Sequence, residues 1–189
     1  HDRAGWDGRS NAIPPAPAPI RLDLVAPSRR FDGTGAIIDA SSRFLLDYPA
    51  AQREQIFDIL FSPTFGGAAL SIAKLEVGGD AQQTDGSSAS YRHARSEAPN
   101  FNRTHIWAVA LAAKRRYPGV HFYGLAWGFP GWVGSFYSNA TAQYLAGWAA
   151  GAKAALGLEI GTLGLWNERT PCRDPAPIDS ISISSSGSG

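Results

Sequence analysis

The chain has 189 residues, 44% hydrophobic and 17% charged, enough for one domain with a sizeable core and unlike the composition of disordered chains. Its 17 Lys and Arg offset 16 Asp and Glu to a net charge of +1, so the charge points neither to nucleic acid nor to an anionic membrane as partner. No run approaches the roughly 18 apolar residues of a transmembrane helix, and no signal peptide is visible.

Residues 1–30 are rich in Pro, Arg and Asp, with Pro14-Pro15-Ala16-Pro17-Ala18-Pro19 at their centre. They read as an extended, polyproline-like lead-in. Ile20 to Val25 alternates apolar and polar residues, as a strand outside the main fold would. Phe31-Asp32-Gly33-Thr34-Gly35-Ala36-Ile37-Ile38 follows. Its GxG lacks a third glycine and no helix starts directly after it, so a glycine-rich approach to a buried strand at Ala36–Ile38 is preferred over a phosphate loop. Ala50 to Phe61 predicts a helix with Ile56, Ile59 and Leu60 on one face, ended by Pro63. Ser71 to Val77 predicts a strand with Ala73, Leu75 and Val77 on one side and Lys74 and Glu76 on the other. That charged face is either a solvated surface or, in a closed barrel, an interior ion pair near a site.

Gly78 to Gly86 is a long polar loop. Residues 100–117 predict a second helix, with Ile106, Val109, Ala110 and Ala113 in register and Lys114, Arg115 and Arg116 in the last turn, as a cap and solvated face. Val120 to Leu125 predicts a third strand running into Ala126-Trp127-Gly128-Phe129-Pro130-Gly131-Trp132. Asn139 to Leu156 predicts a third helix with Leu145, Trp148, Ala149 and Ala152 on one stripe, Asn139 as N-cap and Gly157 as the stop. A fourth strand spans Thr162 to Trp166 and ends in Asn167-Glu168.

Strands alternating with helices imply a parallel α/β arrangement. A doubly wound sheet would carry phosphate-binding glycines at its first turn. A (β/α)8 TIM barrel instead places polar residues at successive strand C-termini. Asp80–Thr84, Trp127–Trp132 and Asn167–Glu168 fall there, so the barrel is preferred. Only about four βα units are present, which makes it an incomplete barrel with disordered ends.

Glycoside cleavage needs a proton for the departing oxygen and a second carboxylate that attacks the anomeric carbon or activates water. Glu168, at the end of a strand behind Trp166, suits the first task, and Asn167 can hydrogen-bond a sugar hydroxyl next to the reacting carbon. The bland alternative is an Asn-Glu that merely begins a surface loop. Trp127, Phe129 and Trp132 form either core or a sugar-stacking wall. The four His have no zinc-protease spacing and the single Cys172 has no partner, so no metal or cofactor is expected. That lone cysteine also excludes an intrachain disulfide and favours a reducing compartment. The sequons at Asn102 and Asn139, candidate N-glycosylation sites, point the other way.

Phe31-Asp32-Gly33-x-Gly35-Ala36, Leu75-Glu76-Val77-Gly78-Gly79-Asp80, Gln83-Thr84-Asp85-Gly86, Trp127-x-Phe129-Pro130-Gly131-Trp132 and Trp166-Asn167-Glu168-Arg169 occur in this order. The ordered set, over roughly residues 30–169, resembles glycoside hydrolase family 59, the galactosylceramidases. The resemblance implies a (β/α)8 catalytic barrel and retaining removal of galactose from galactosylceramide and related sphingolipids. It implies a lysosomal or secreted setting, and leaves room for a lipid-presenting activator protein as partner. By motif, Glu168 matches the general acid/base, Asn167 its sugar-binding neighbour, and Thr84 and Trp127 positions lining the galactose pocket. Ala126 and Gly128 depart from the family's Pro and Ser.

The family's nucleophilic Glu, on a later strand, is not present in this chain, and nothing in the spacing of Glu76, Asp80 or Asp85 offers a substitute. The expected organisation is a lead-in over 1–30, an N-terminal half-barrel over 31–169, and a tail over 170–189 rich in Ser, Gly and Pro and foreign to the fold. The absence of Met fits a processed form, a fragment or an incomplete gene model. The chain alone is expected to be inactive. The rival readings are another β-glycosidase of the same clan and a carbohydrate-binding fragment without turnover.

Overall fold

The computed structural model describes residues 29–83 and 86–168. The expected strand at Ile20–Val25, Thr84, Asp85 and everything from residue 169 onward lie outside the described residues. The chain divides into two units, His1–Phe31 and Asp32–Gly189, and every element among the described residues belongs to the second.

In chain order the elements are β1 (Gly35–Ile38), a 3-10 helix (Ala40–Asp47), α1 (Ala50–Phe61), β2 (Ile72–Val77), a small antiparallel hairpin of β3 (Gln82–Gln83) and β4 (Gly86–Ser87), α2 (Ile106–Arg116), β5 (His121–Ala126), α3 (Asn139–Leu156) and β6 (Ile160–Gly164). The main sheet is wholly parallel, in the order β1-β2-β5-β6. Each crossover therefore steps the same way along the sheet. With right-handed connections, that puts every helix on one face. The order contains no reversal of the kind that marks a doubly wound sheet.

Side-chain alternation fills the helix-facing side. Ala73, Leu75 and Val77 of β2 are at most 1% exposed. The register sets Leu75 opposite Gly124 of β5, and Gly124 opposite Leu163 of β6. Gly124 has to be glycine, because a Cβ there would lie 2.7 Å from both the Leu163 side chain and the Trp148 ring of α3. Trp148 thus sits on the sheet at the one place where the strand offers no side chain. Trp107 of α2 packs on it at 4.9 Å between ring centroids. Ile106, Val109, Ala110 and Ala113 of α2 are buried as their spacing predicts. Burial of each large apolar side chain contributes about 1.5–3 kcal/mol.

Four expectations need correction. The face that α1 buries carries Phe57 and Phe61, whereas Ile59 is 48% exposed. The two rings bring more apolar area to the core than the isoleucines would. Arg116 holds the helix at that rotation by bonding Glu54 and Asp58, at 2.7 and 2.6 Å. Helix α2 starts at Ile106 rather than residue 100. The Asn100 side chain accepts the Asn102 N–H at 2.9 Å, a local turn that competes with helix. The N-cap of α3 is Ser138, not Asn139; its hydroxyl accepts the Thr141 N–H at 3.2 Å. Strand β6 ends at Gly164, not Trp166, and begins two residues early, with an irregularity in the β5 register between Phe122 and Tyr123. The predicted bounds of α1 and α3 hold, as does the left-handed stop at Gly157, where φ is +67°.

Candidate active site

The C-terminal ends of β2, β5 and β6 lie side by side, and main-chain contacts join the segments that leave them. Gly79, after β2, packs so closely on Gly128, after β5, that a Cβ would lie 2.2 Å from the Gly128 carbonyl oxygen. The Asn167 N–H donates to the Ala126 carbonyl at 2.8 Å. That bond carries the line of β6 past its last ladder residue and sets Asn167 alongside Trp127. Glu168 follows, exposed, with φ at +50°. A left-handed backbone costs a non-glycine residue roughly 1–2 kcal/mol. Asp80, just past β2, shares it at φ +58°.

The sheet face turned away from the helices carries charge and aromatics together. The Lys74 ammonium lies 4.9 Å from the centroid of Trp127 and 5.8 Å from that of Tyr123, its β5 register partner. Such contacts are worth roughly 0.5–2 kcal/mol. Glu76, two residues on, is 1% exposed and accepts a hydrogen bond from Ser88. This face is therefore closed at Glu76 and open toward its edges, where Ile37 and Thr162 are exposed. Asp80 accepts from the Ser90 N–H at 2.8 Å and the Ser90 hydroxyl at 2.6 Å, and lies 2.9 Å from His93 Nδ1. Burial pushes the Asp80 carboxyl up, but the bonds from His93 and Ser90 outweigh it and hold the group below the usual carboxylate range. Behind this layer the buried Tyr144 hydroxyl donates to the Gly78 carbonyl at 2.6 Å, and Tyr91 donates to the Tyr144 carbonyl at 3.1 Å. Burial pushes both phenols up.

Residues 31–175 match the model of glycosyl hydrolase family 59. The chain belongs to that family. It is 44% identical over 155 residues to the galactocerebrosidase of Danio rerio, covering 78% of this chain and 23% of the relative. It is 40% identical over 183 residues to the galactocerebrosidase of Homo sapiens, covering 88% of this chain and 26% of the relative. The chain thus spans about a quarter of the length of the curated relatives it matches. Among solved structures, an endo-β1,6-glucanase superposes with a TM-score of 0.62 at 19% identity, over 78% of this chain and 37% of its own. SrfJ from Salmonella typhimurium gives 0.61 at 14% identity, over 74% and 35%. At those identities the likeness is one of fold.

Set on this family 59 framework, the residues singled out in the sequence separate into two groups. Asn167 is tied beside Trp127 by its main-chain bond to Ala126, and Glu168 follows it, exposed. Thr84 lies outside the described residues. Phe129 and Trp132 pack instead onto Tyr144 of α3, edge to face, at 5.7 and 5.8 Å, and the Trp132 indole donates to the Arg92 carbonyl at 3.1 Å. Trp166 meets Tyr137 edge-on at 5.1 Å. Both sequon residues, Asn102 and Asn139, are exposed. Among the described residues no three His, Cys, Asp or Glu side chains gather as metal ligands, and no helix is long and apolar enough to cross a membrane. Sequence reasoning missed Lys74 as the support of Trp127, although its strand parity with Tyr123 was available. It also missed Tyr91 and Tyr144, whose bonds to distant carbonyls leave no local signal.

Proposed function

We propose that this chain carries the acid/base side of a retaining β-galactosidase site that removes galactose from galactosylceramide and related sphingolipids. Membership of family 59 and the galactocerebrosidases among its relatives support this reading. The observation that carries it is the bond between Asn167 N–H and the Ala126 carbonyl, which ties the segment leading into Glu168 to the β5 exit that leads into Trp127. In the proposed reaction Glu168 gives its proton to the glycosidic oxygen as the bond to the anomeric carbon breaks. Its carboxylate then takes a proton from the water that releases the sugar. Asn167 hydrogen-bonds a hydroxyl next to the reacting carbon, and Trp127, braced by Lys74, lines the galactose pocket with Thr84.

The sequential, one-way strand order supports reading this sheet as the first four βα units of a (β/α)8 barrel. The second carboxylate is assigned to the part of the relatives' length that this chain does not span. Glu76 is enclosed under Ser88 and Asp80 is engaged by Ser90 and His93, so neither is free to attack. The 189-residue chain alone is expected to show no turnover. A lysosomal or secreted setting and a lipid-presenting activator protein belong to the same reading.

The test is Glu168→Ala in the full-length protein. It should lower kcat on galactosylceramide by about a hundredfold or more. On an aryl galactoside with a good leaving group, added azide should restore turnover and yield β-galactosyl azide. An E168A enzyme with unchanged kcat, or one that azide never rescues, would remove Glu168 from this role.

A further inference from the structure

The loops that follow β4 and β5, with the first turns of α3, line a pocket of about 140 Å³, bounded in part by Tyr91, Arg92, Arg95, Trp132, Gln143 and Tyr144. It is smaller than the roughly 300–1,000 Å³ of sites that take drug-sized ligands, so it suits a single group rather than a whole molecule. Both arginines lie over one indole, each guanidinium carbon 5.7 Å from the Trp132 centroid. Arg92 is half-buried and Arg95 exposed, so solvent screens their mutual repulsion in part, and an anion between them would relieve the rest.

The surrounding charges do not supply that anion. Glu97 is taken up by Arg103 and by the His93 N–H, and Asp80 by Ser90 and His93. The Arg95 guanidinium has no hydrogen-bond or ion-pair partner among the described residues. Arg92 is held in place: its Nε donates to the Glu97 carbonyl at 2.8 Å, a second nitrogen donates to the Arg95 carbonyl, and its own carbonyl accepts the Trp132 indole. The remaining Arg92 nitrogen and the whole Arg95 fork are thus donors set around one small cavity. The tyrosine hydroxyls are already spent on carbonyls.

We infer that this pocket binds a phosphate or sulfate oxyanion between Arg92 and Arg95. Guanidinium forks match the oxygen spacing of tetrahedral anions and bind them bidentately. The proposal stands apart from the assignment of Glu168. The same oxyanion chemistry is offered by free phosphate and by the headgroup of an anionic lipid.

The test follows the Trp132 indole N–H resonance, assigned with Trp132→Phe, while inorganic phosphate replaces chloride at constant ionic strength. A saturable shift is expected, weakened about fivefold or more in Arg95→Gln and untouched in Arg115→Gln, which removes a charge on the exposed side of α2. No saturation, or equal affinity in R95Q and the parent protein, overturns the proposal. Co-sedimentation with phosphatidylserine vesicles against phosphatidylcholine vesicles then separates the sources. If R95Q lowers capture by the anionic vesicles the occupant is a headgroup; if R95Q lowers only the phosphate titration, it is a free anion.

Discussion

Replacing Gly79 by alanine would put a methyl group 2.2 Å from the Gly128 carbonyl oxygen, 2.5 Å from its carbon and 2.8 Å from the Phe129 nitrogen. All three are main-chain atoms, so no side chain can swing aside. Reaching ordinary contact requires the β2 and β5 exits to part by roughly 1 Å. Overpacking of that kind costs about 1–3 kcal/mol. For a chain of this length each kcal/mol lowers Tm by roughly 2–4 °C, so Gly79→Ala should melt several degrees early. Gly131→Ala, three residues past Gly128, meets nothing within 4 Å and serves as the control. Differential scanning calorimetry on both variants makes the comparison. Because Gly128 is two residues from Ala126, separation of the exits should also weaken the Asn167 bond. In amide exchange, Asn167 N–H should then lose protection in G79A and keep it in G131A. Equal melting temperatures with equal protection at Asn167 would refute the claim that main-chain contact sets the spacing of these strand ends.

Three other outcomes follow from particular bonds. Ser138→Ala should destabilise by about 1 kcal/mol in urea titration, while Asn139→Ala should change little, since the cap is the serine hydroxyl. Tyr144→Phe leaves the buried Gly78 carbonyl without its 2.6 Å donor and should cost about 1–3 kcal/mol, measured the same way. Asp80 is held below its usual range by His93 and Ser90 despite burial. Its contribution is therefore full above the unfolded carboxylate pKa of about 3.9 and is lost as pH falls through the lower folded value. Ser90→Ala should flatten that acid-side loss between about pH 5 and pH 2, read as stability against pH.

Local patterns carried much of this architecture. The alternation of Ala73, Leu75 and Val77 gives the buried side of β2, and the 3.6-residue spacing of Ile106, Val109, Ala110 and Ala113 gives that of α2. The ends of α1 and α3 follow from where apolar periodicity meets Pro63 and Gly157. What failed depends partly on partners far away in the chain and partly on local side-chain bonds that compete with the helix pattern. The rotation of α1 is set by Arg116 reaching across from α2 to Glu54 and Asp58, which no window over α1 contains. The late start of α2 comes from an Asn100 side chain choosing its neighbour's N–H over solvent. At the candidate site, Trp127 and Asn167 could each be named from motif, but their adjacency rests on a main-chain bond between two strand ends. Phe129 and Trp132 share the motif with Trp127 yet turn to Tyr144, because one side of that loop faces α3 and the other faces the sheet.

The link between Ala126 and Asn167 uses a carbonyl and an amide, and neither side chain takes part. Position 167, half-buried, can therefore change its side chain without breaking this link, whereas Ala126, fully buried in the core, has no room for a larger one. The side chain presented at 167 can be varied while the main-chain link between the β5 and β6 exits stays in place. Proline at 167 is the exception, since it alone has no hydrogen to give.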